Sequence, residues 1–95
     1  MKEYNATVYK VDGTFYEMKI PRNNSLKTLQ NLVDGLIEVV QLADRKETRG
    51  DLVINEEGIL LDLPVNPFSE KVTRGTIWRE TIFYGDIVWI EGGLM

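Results

Sequence analysis

The chain contains no histidine and no cysteine. Those two absences remove the usual proton shuttle, the thiolate nucleophile and the common transition-metal ligands together. Without cysteine no disulfide can form, so composition does not point to secretion. Serine is scarce too: Ser25 stands where a helix cap belongs and Ser69 in a loop. No apolar run approaches the ~20 residues of a membrane span. The polar start MKEYNATVYK lacks a signal-peptide apolar core. The expected compartment is the cytoplasm, and a membrane is not an expected partner. Bases are outnumbered, 11 against 15 acids, for a formal charge of −4. A protein that binds by neutralising phosphates needs the reverse, so nucleic acid is not an expected partner either. The acids are scattered, with one pair at Glu56–Glu57, which suits a solubilising surface better than a DNA mimic.

What the chain does have is enough for a core. Ninety-five residues, 43% apolar and 27% charged, fit one domain and are too few for two. In TVYKVDGTFYEMKI, Asp12-Gly13 sits between two alternating runs, as in a hairpin with a type I′ turn. A two-residue loop would set Val11 opposite Thr14, Tyr9 opposite Tyr16 and Thr7 opposite Met18. Tyr9, Val11, Tyr16, Met18 and Ile20 would then face the core. Pro21 ends the second strand. Asn24 or Ser25 caps a helix whose stripe is Leu26, Leu29, Leu32 and Val33, prolonged by Leu36, with Gly35 as the left-handed residue that closes it.

LIEVVQL, residues 36–42, predicts a third strand, and ADRKETRG a polar loop carrying Arg45, Lys46 and Arg49. DLVIN and ILLDL read as strands four and five around a turn, NEEG, with Gly58 at positive φ. In PVNPF the two prolines restrict the backbone, and a helical turn over 67–72 would be capped by Asn66. A short strand around Ile77 and a last strand over 86–91 complete the chain. The order predicts an α+β domain of two layers: a mixed sheet with one main helix on one face, β-grasp-like. A ferredoxin-like arrangement is the alternative, but would need a second full helix.

Little here carries chemistry. Asp51, Asn55, Glu56 and Glu57 lack the alternating order of a calcium loop, and no phosphate-cradling glycine motif is present. Neither metal nor cofactor is expected. Trp78 and Trp89 could stack on a base, though tryptophans in strands more often belong to core or interface.

Three blocks, LQNLVDGLIEVVQL, LVINEEGILLDLPVNPF and IFYGDIVWIEG, together resemble a family of small proteins of unknown function from bacteriophages and mobile elements. The resemblance spans about residues 26–91. It rests on Leu29, Leu32, Val33, Gly35 and Ile37 to Val40, then on Asn55 to Gly58, Leu63, Pro64 and Asn66, and finally on Gly85, Asp86 and Val88. The chain departs from it at Asp34-Gly35, where Gly-Gly is frequent, and in an extended loop at 43–50. The resemblance implies a phage-encoded accessory protein and supplies no catalytic residue.

The expected function is therefore non-catalytic: binding of a bacterial host protein, for host takeover or against host defence. Trp78, Phe83, Tyr84 and Trp89 are candidate anchors, with Arg79 and Asn66 as further candidates, although the Asn66 segment fits a scaffold better than a site. The alternative is sequestration of a nucleotide-like signal by Arg22, Arg74 or Arg79 beside Tyr84 or Trp78. An enzyme using carboxylates is a third reading. Self-association into a homo-oligomer would follow if the last strand lay at a sheet edge.

Overall fold

Antiparallel pairing organises the whole molecule. A computed structural model describes residues 3–43, 49–74 and 80–94. It contains β1 (Glu3–Tyr9), β2 (Phe15–Pro21), α1 (Ser25–Val33), β3 (Ile37–Ala43), β4 (Arg49–Asn55), α2 (Ser69–Thr73) and β5 (Ile87–Glu91). The five strands form one sheet in the order β2-β1-β5-β4-β3. The α+β class and the main helix packed on one face agree with the sequence reading. The sheet is antiparallel at every pairing, where a mixed sheet was expected. Nor does the last strand lie at an edge, where it could recruit a second copy: β5 is central, between β1 and β4. The short strand anticipated at Ile77 and the basic residues Arg45 and Lys46 lie outside the described residues. Among the described residues no helix is long and apolar enough to cross a membrane.

The first hairpin forms where Asp12-Gly13 predicts it, but its register is one residue away. Tyr9 pairs with Phe15, Val8 with Tyr16 and Ala6 with Met18. Only Gly13, at φ 91°, takes positive φ in the turn, whereas a type I′ turn needs two such residues. Lys10 N–H donates to Thr14 O (2.9 Å) across a three-residue loop. Asp12 Oδ1 accepts from the Thr14 N–H (2.9 Å) and hydroxyl (2.6 Å), an Asx turn that favours the longer loop. The slip changes faces: Tyr4, Ala6 and Val8 are buried with Ile20, while Tyr9 moves to the opposite side.

The two faces of the sheet carry separate cores. Under α1, Leu29 and Val33 meet Tyr4, Ala6, Val8, Ile20, Val53, Val88 and Ile90. On the other face Leu52 and Ile87 pack with Val40, Leu42 and Phe83, flanked by Val72 of α2 and by Trp89. Leu26, expected in the helical stripe, is exposed because the helix buries only a narrow seam, and Leu36 because it lies beyond the helix end at Val33.

Helix α1 closes with Asp34, not Gly35, in the left-handed region (φ 62°), and Gly35 N–H returns to Gln30 O (3.0 Å). Gly35 serves closeness instead. A Cβ there would lie 2.6 Å from Asn55 Nδ2, which donates to Val33 O (3.0 Å) and Asp34 O (3.2 Å). The end of β4 is thereby tied to the end of the helix.

Asp86, just before β5, fixes the tip of the first hairpin. Its carboxylate accepts from Val11 N–H (2.9 Å) and from Lys10 Nζ (3.0 Å). That bond holds the Lys10 ammonium above its ordinary 10.5, while Thr14 holds the Asp12 carboxyl below 3.8. The stabilisation from Asp12 is therefore present above pH 3.8 and lost as pH falls through its depressed value. That from Lys10 is present below pH 10.5 and lost as pH rises through its raised value. The Asp12 side-chain carboxyl and Lys10 Cε resonances, followed by NMR across pH, are expected to titrate below 3.8 and above 10.5 respectively.

Candidate functional site

After β4 the chain makes a single helix-like turn where ILLDL predicts a strand. Leu61 N–H donates to Glu57 O (2.8 Å), Asp62 N–H to Ile59 O (3.0 Å) and Leu63 N–H to Gly58 O (3.0 Å). Asp62 takes the left-handed position (φ 55°) that ends such a turn, the place assigned to Gly58 from sequence. Asn55 Oδ1 accepts from Glu57 N–H (2.7 Å) and starts it. A turn this short cannot bury three consecutive apolar side chains. Ile59 is 74% exposed, Leu60 83%, and Leu61 is exposed with them.

Opposite this turn runs the segment leading into β5. Val65 bridges Tyr84, Asn66 N–H donates to Phe83 O (2.8 Å), and Gly85 N–H donates to Pro64 O (2.7 Å). Between the turn, strands β3 and β4, and residues 81–84 opens a cleft of about 250 Å³. Val40, Ile54, Ile59, Leu60, Ile82 and Phe83 make its surface mainly apolar. Glu38 and Glu56 stand exposed on its rim, and no described cation pairs with either.

Asn66 and Ser69 hold the second wall in place. Asn66 Nδ2 donates to Tyr9 O (3.0 Å) and Gly85 O (2.9 Å), and its Oδ1 accepts from Phe68 N–H (2.9 Å). Ser69, at the start of α2 and not in a loop, accepts from Phe83 N–H (2.9 Å) and donates to Asn66 O (2.8 Å). Ser69→Ala would leave a buried Phe83 N–H without its partner. It is expected to cost about 1–3 kcal/mol, measurable by urea unfolding.

A family model described as a domain of unknown function, DUF3846, matches residues 4–93. The chain belongs to that family. No curated protein and no solved structure matches it. Both walls of the cleft lie inside the DUF3846 domain, so the geometry of this surface belongs to the domain itself.

Residues proposed from sequence are dispersed in the DUF3846 domain. Tyr84 is half-buried and lines the cleft. Phe83, 4% exposed, is a core residue that reaches only the cleft floor and is no exposed anchor. Trp89 is half-buried on the second core and leans over Gly50 of β4, away from the cleft lining. Asn66, 1% exposed, is a clamp. Trp78 and Arg79 lie outside the described residues. Arg22 lies over the Tyr4 ring (4.7 Å), on the α1 face, and does not converge with Tyr84. Sequence reasoning missed Ile59, Leu60 and Ile82. A signal was present: three apolar residues between Gly58 and Asp62 are few for a strand, and Pro64 follows closely.

Proposed function

We propose that this DUF3846 domain is a non-catalytic binding module that docks another protein at the cleft beside β3 and β4. Following the phage resemblance, that protein is a bacterial one in the host cytoplasm. The observation that carries this reading is the exposure of Ile59, Leu60 and Ile82 around a concave apolar floor. Contiguous exposed apolar surface is uncommon on a monomeric soluble domain and marks interaction sites. Buried apolar anchors inside a polar rim are where binding energy concentrates. Sequestration of an anionic nucleotide fits less well, because the rim charges are carboxylates and Arg22 is on the other face.

Leu60→Asp tests the reading. Since Leu60 is almost fully exposed, the substitution is expected to alter stability by no more than about 0.5 kcal/mol. Tagged protein and this variant would be incubated in parallel with bacterial lysate, and retained proteins quantified by mass spectrometry. The expected result is a host protein held by the parent and reduced at least about tenfold with the variant. Identical retention by both would overturn the proposal.

A further inference from the structure

We infer that β3 is a docking edge, and that the partner adds an extended strand to it bearing a Lys or Arg two positions from a large apolar residue. This inference rests on the docking reading and specifies what the cleft accepts. The edges of the sheet, β2 and β3, are unequal. An open edge invites pairing, and charged residues or proline on it discourage that. Strand β2 carries Glu17, Lys19 and Pro21. Strand β3, IEVVQLA, is seven residues long with Glu38 as its one charge.

The inner ladder decides which backbone groups of β3 face outward. Glu56 N–H donates to Leu36 O (2.8 Å), in register with Ile37 opposite Asn55. Antiparallel pairs alternate, so Leu36, Glu38 and Val40 bond inward to β4, and the N–H and C=O of Ile37 and Val39 turn to the outer side. No described segment pairs with that side. A strand added there gains backbone hydrogen bonds from the edge and specificity from alternate side chains.

Those alternate side chains meet defined neighbours. Glu38 and Val40 both line the cleft, so they point to the same face of the sheet. The side chains that an added strand sets across from them lie two positions apart. The one facing Val40 lies beside the mouth of the cleft, whose apolar lining includes Leu60 and Ile82. The one facing Glu38 meets a carboxylate with no described cationic partner, with Glu56 on the same rim. Opposite charges directly across a strand pair are favourable. The occupant is therefore a cationic-apolar extended segment of another protein.

A display library of random peptides about ten residues long would be selected on the intact protein and on Val39→Pro, Glu38→Lys and Leu60→Asp. Proline at Val39 removes an outward donor and leaves the inner ladder whole, a substitution edge strands tolerate. Peptides enriched on the parent are expected to share the Lys or Arg and apolar residue at that spacing. Val39→Pro, with unchanged circular dichroism, is expected to weaken them about tenfold. Glu38→Lys is expected to switch the enriched charge to Asp or Glu. Should Val39→Pro misfold, N-methylating a selected peptide at the amide paired with Val39 makes the same test on an unaltered protein, again with about a tenfold loss expected. Equal binding after either change, or enriched sequences without the spacing, overturns strand addition. If Leu60→Asp alone abolishes binding, docking stands and strand addition falls; if it too binds equally, both fall. A library that enriches nothing overturns the inference. If sedimentation then shows a dimer dispersed by Val39→Pro, the occupant is a second copy.

Discussion

Asn66→Ala is expected to destabilise the domain by about 3–5 kcal/mol, the largest effect of any polar substitution considered. One side chain, 1% exposed, satisfies Tyr9 O, Gly85 O and Phe68 N–H, which belong to three separate parts of the chain. Truncation removes a bond from each of the three, one of them buried and two part-buried, and each group left unsatisfied costs about 1–3 kcal/mol. For a domain of this length the melting temperature is expected to fall by roughly 15–25 °C. Asn66→Asp retains the acceptor for Phe68 and aims a carboxylate at two carbonyls, so it is expected to be nearly as damaging. Calorimetry on both variants decides the matter. A melting point within a few degrees of the parent would mean that the second wall of the cleft is held by its apolar contacts and not by this amide.

Gly50→Ala is the second large effect. A Cβ at this position would lie 2.3 and 2.4 Å from ring atoms of Trp89 and 2.7 Å from Ile90 O. The ring is a flexible obstacle in principle, but it also covers the second core and cannot turn away without exposing it. The carbonyl belongs to the central strand and cannot move at all cheaply. Overpacking of this kind costs about 1–3 kcal/mol, and the upper end is expected here. In a double-mutant cycle with Trp89→Ala, the two losses are expected to be less than additive by at least about 1 kcal/mol. Strict additivity would show that Trp89 does not rest on the glycine.

The parts of the fold legible in the sequence were those written in periodicity. The alternation around Asp12-Gly13, the leucine spacing after Asn24 and the Ile87-Trp89 alternation each specify an element locally. Register was not legible, because it turned on the Asp12 side chain bonding to Thr14, a choice between two loops of similar sequence preference. The glycines misled for a related reason. Gly35 and Gly58 were read as conformational residues, yet Asp34 and Asp62 take the left-handed positions, while the glycines admit Asn55 and Tyr84 at close range. Of the candidate site, Tyr84 was recognised and the cleft was not. Aromatic residues are natural first choices for anchors, but this surface is mostly aliphatic. Its apolar wall includes Ile59 and Leu60, residues that a strand would have buried and a single turn cannot.

The position of β5 sets a condition on how the domain is made. Residues 3–21 and 37–55 fold back on themselves as two hairpins, but no strand of one pairs with any strand of the other. Among the described residues their only ladder connection is Ile87–Glu91, which follows both of them in the chain. Until it leaves the ribosome, the nascent chain has two apolar half-sheets with four open sides and no centre. Loop closure across such separations is slow, and exposed strand edges invite misassembly. A stall upstream of Ile87 therefore leaves the two hairpins without the strand that pairs with both. Closure of the sheet thus waits on β5, a strand that contributes nothing to the lining of the cleft.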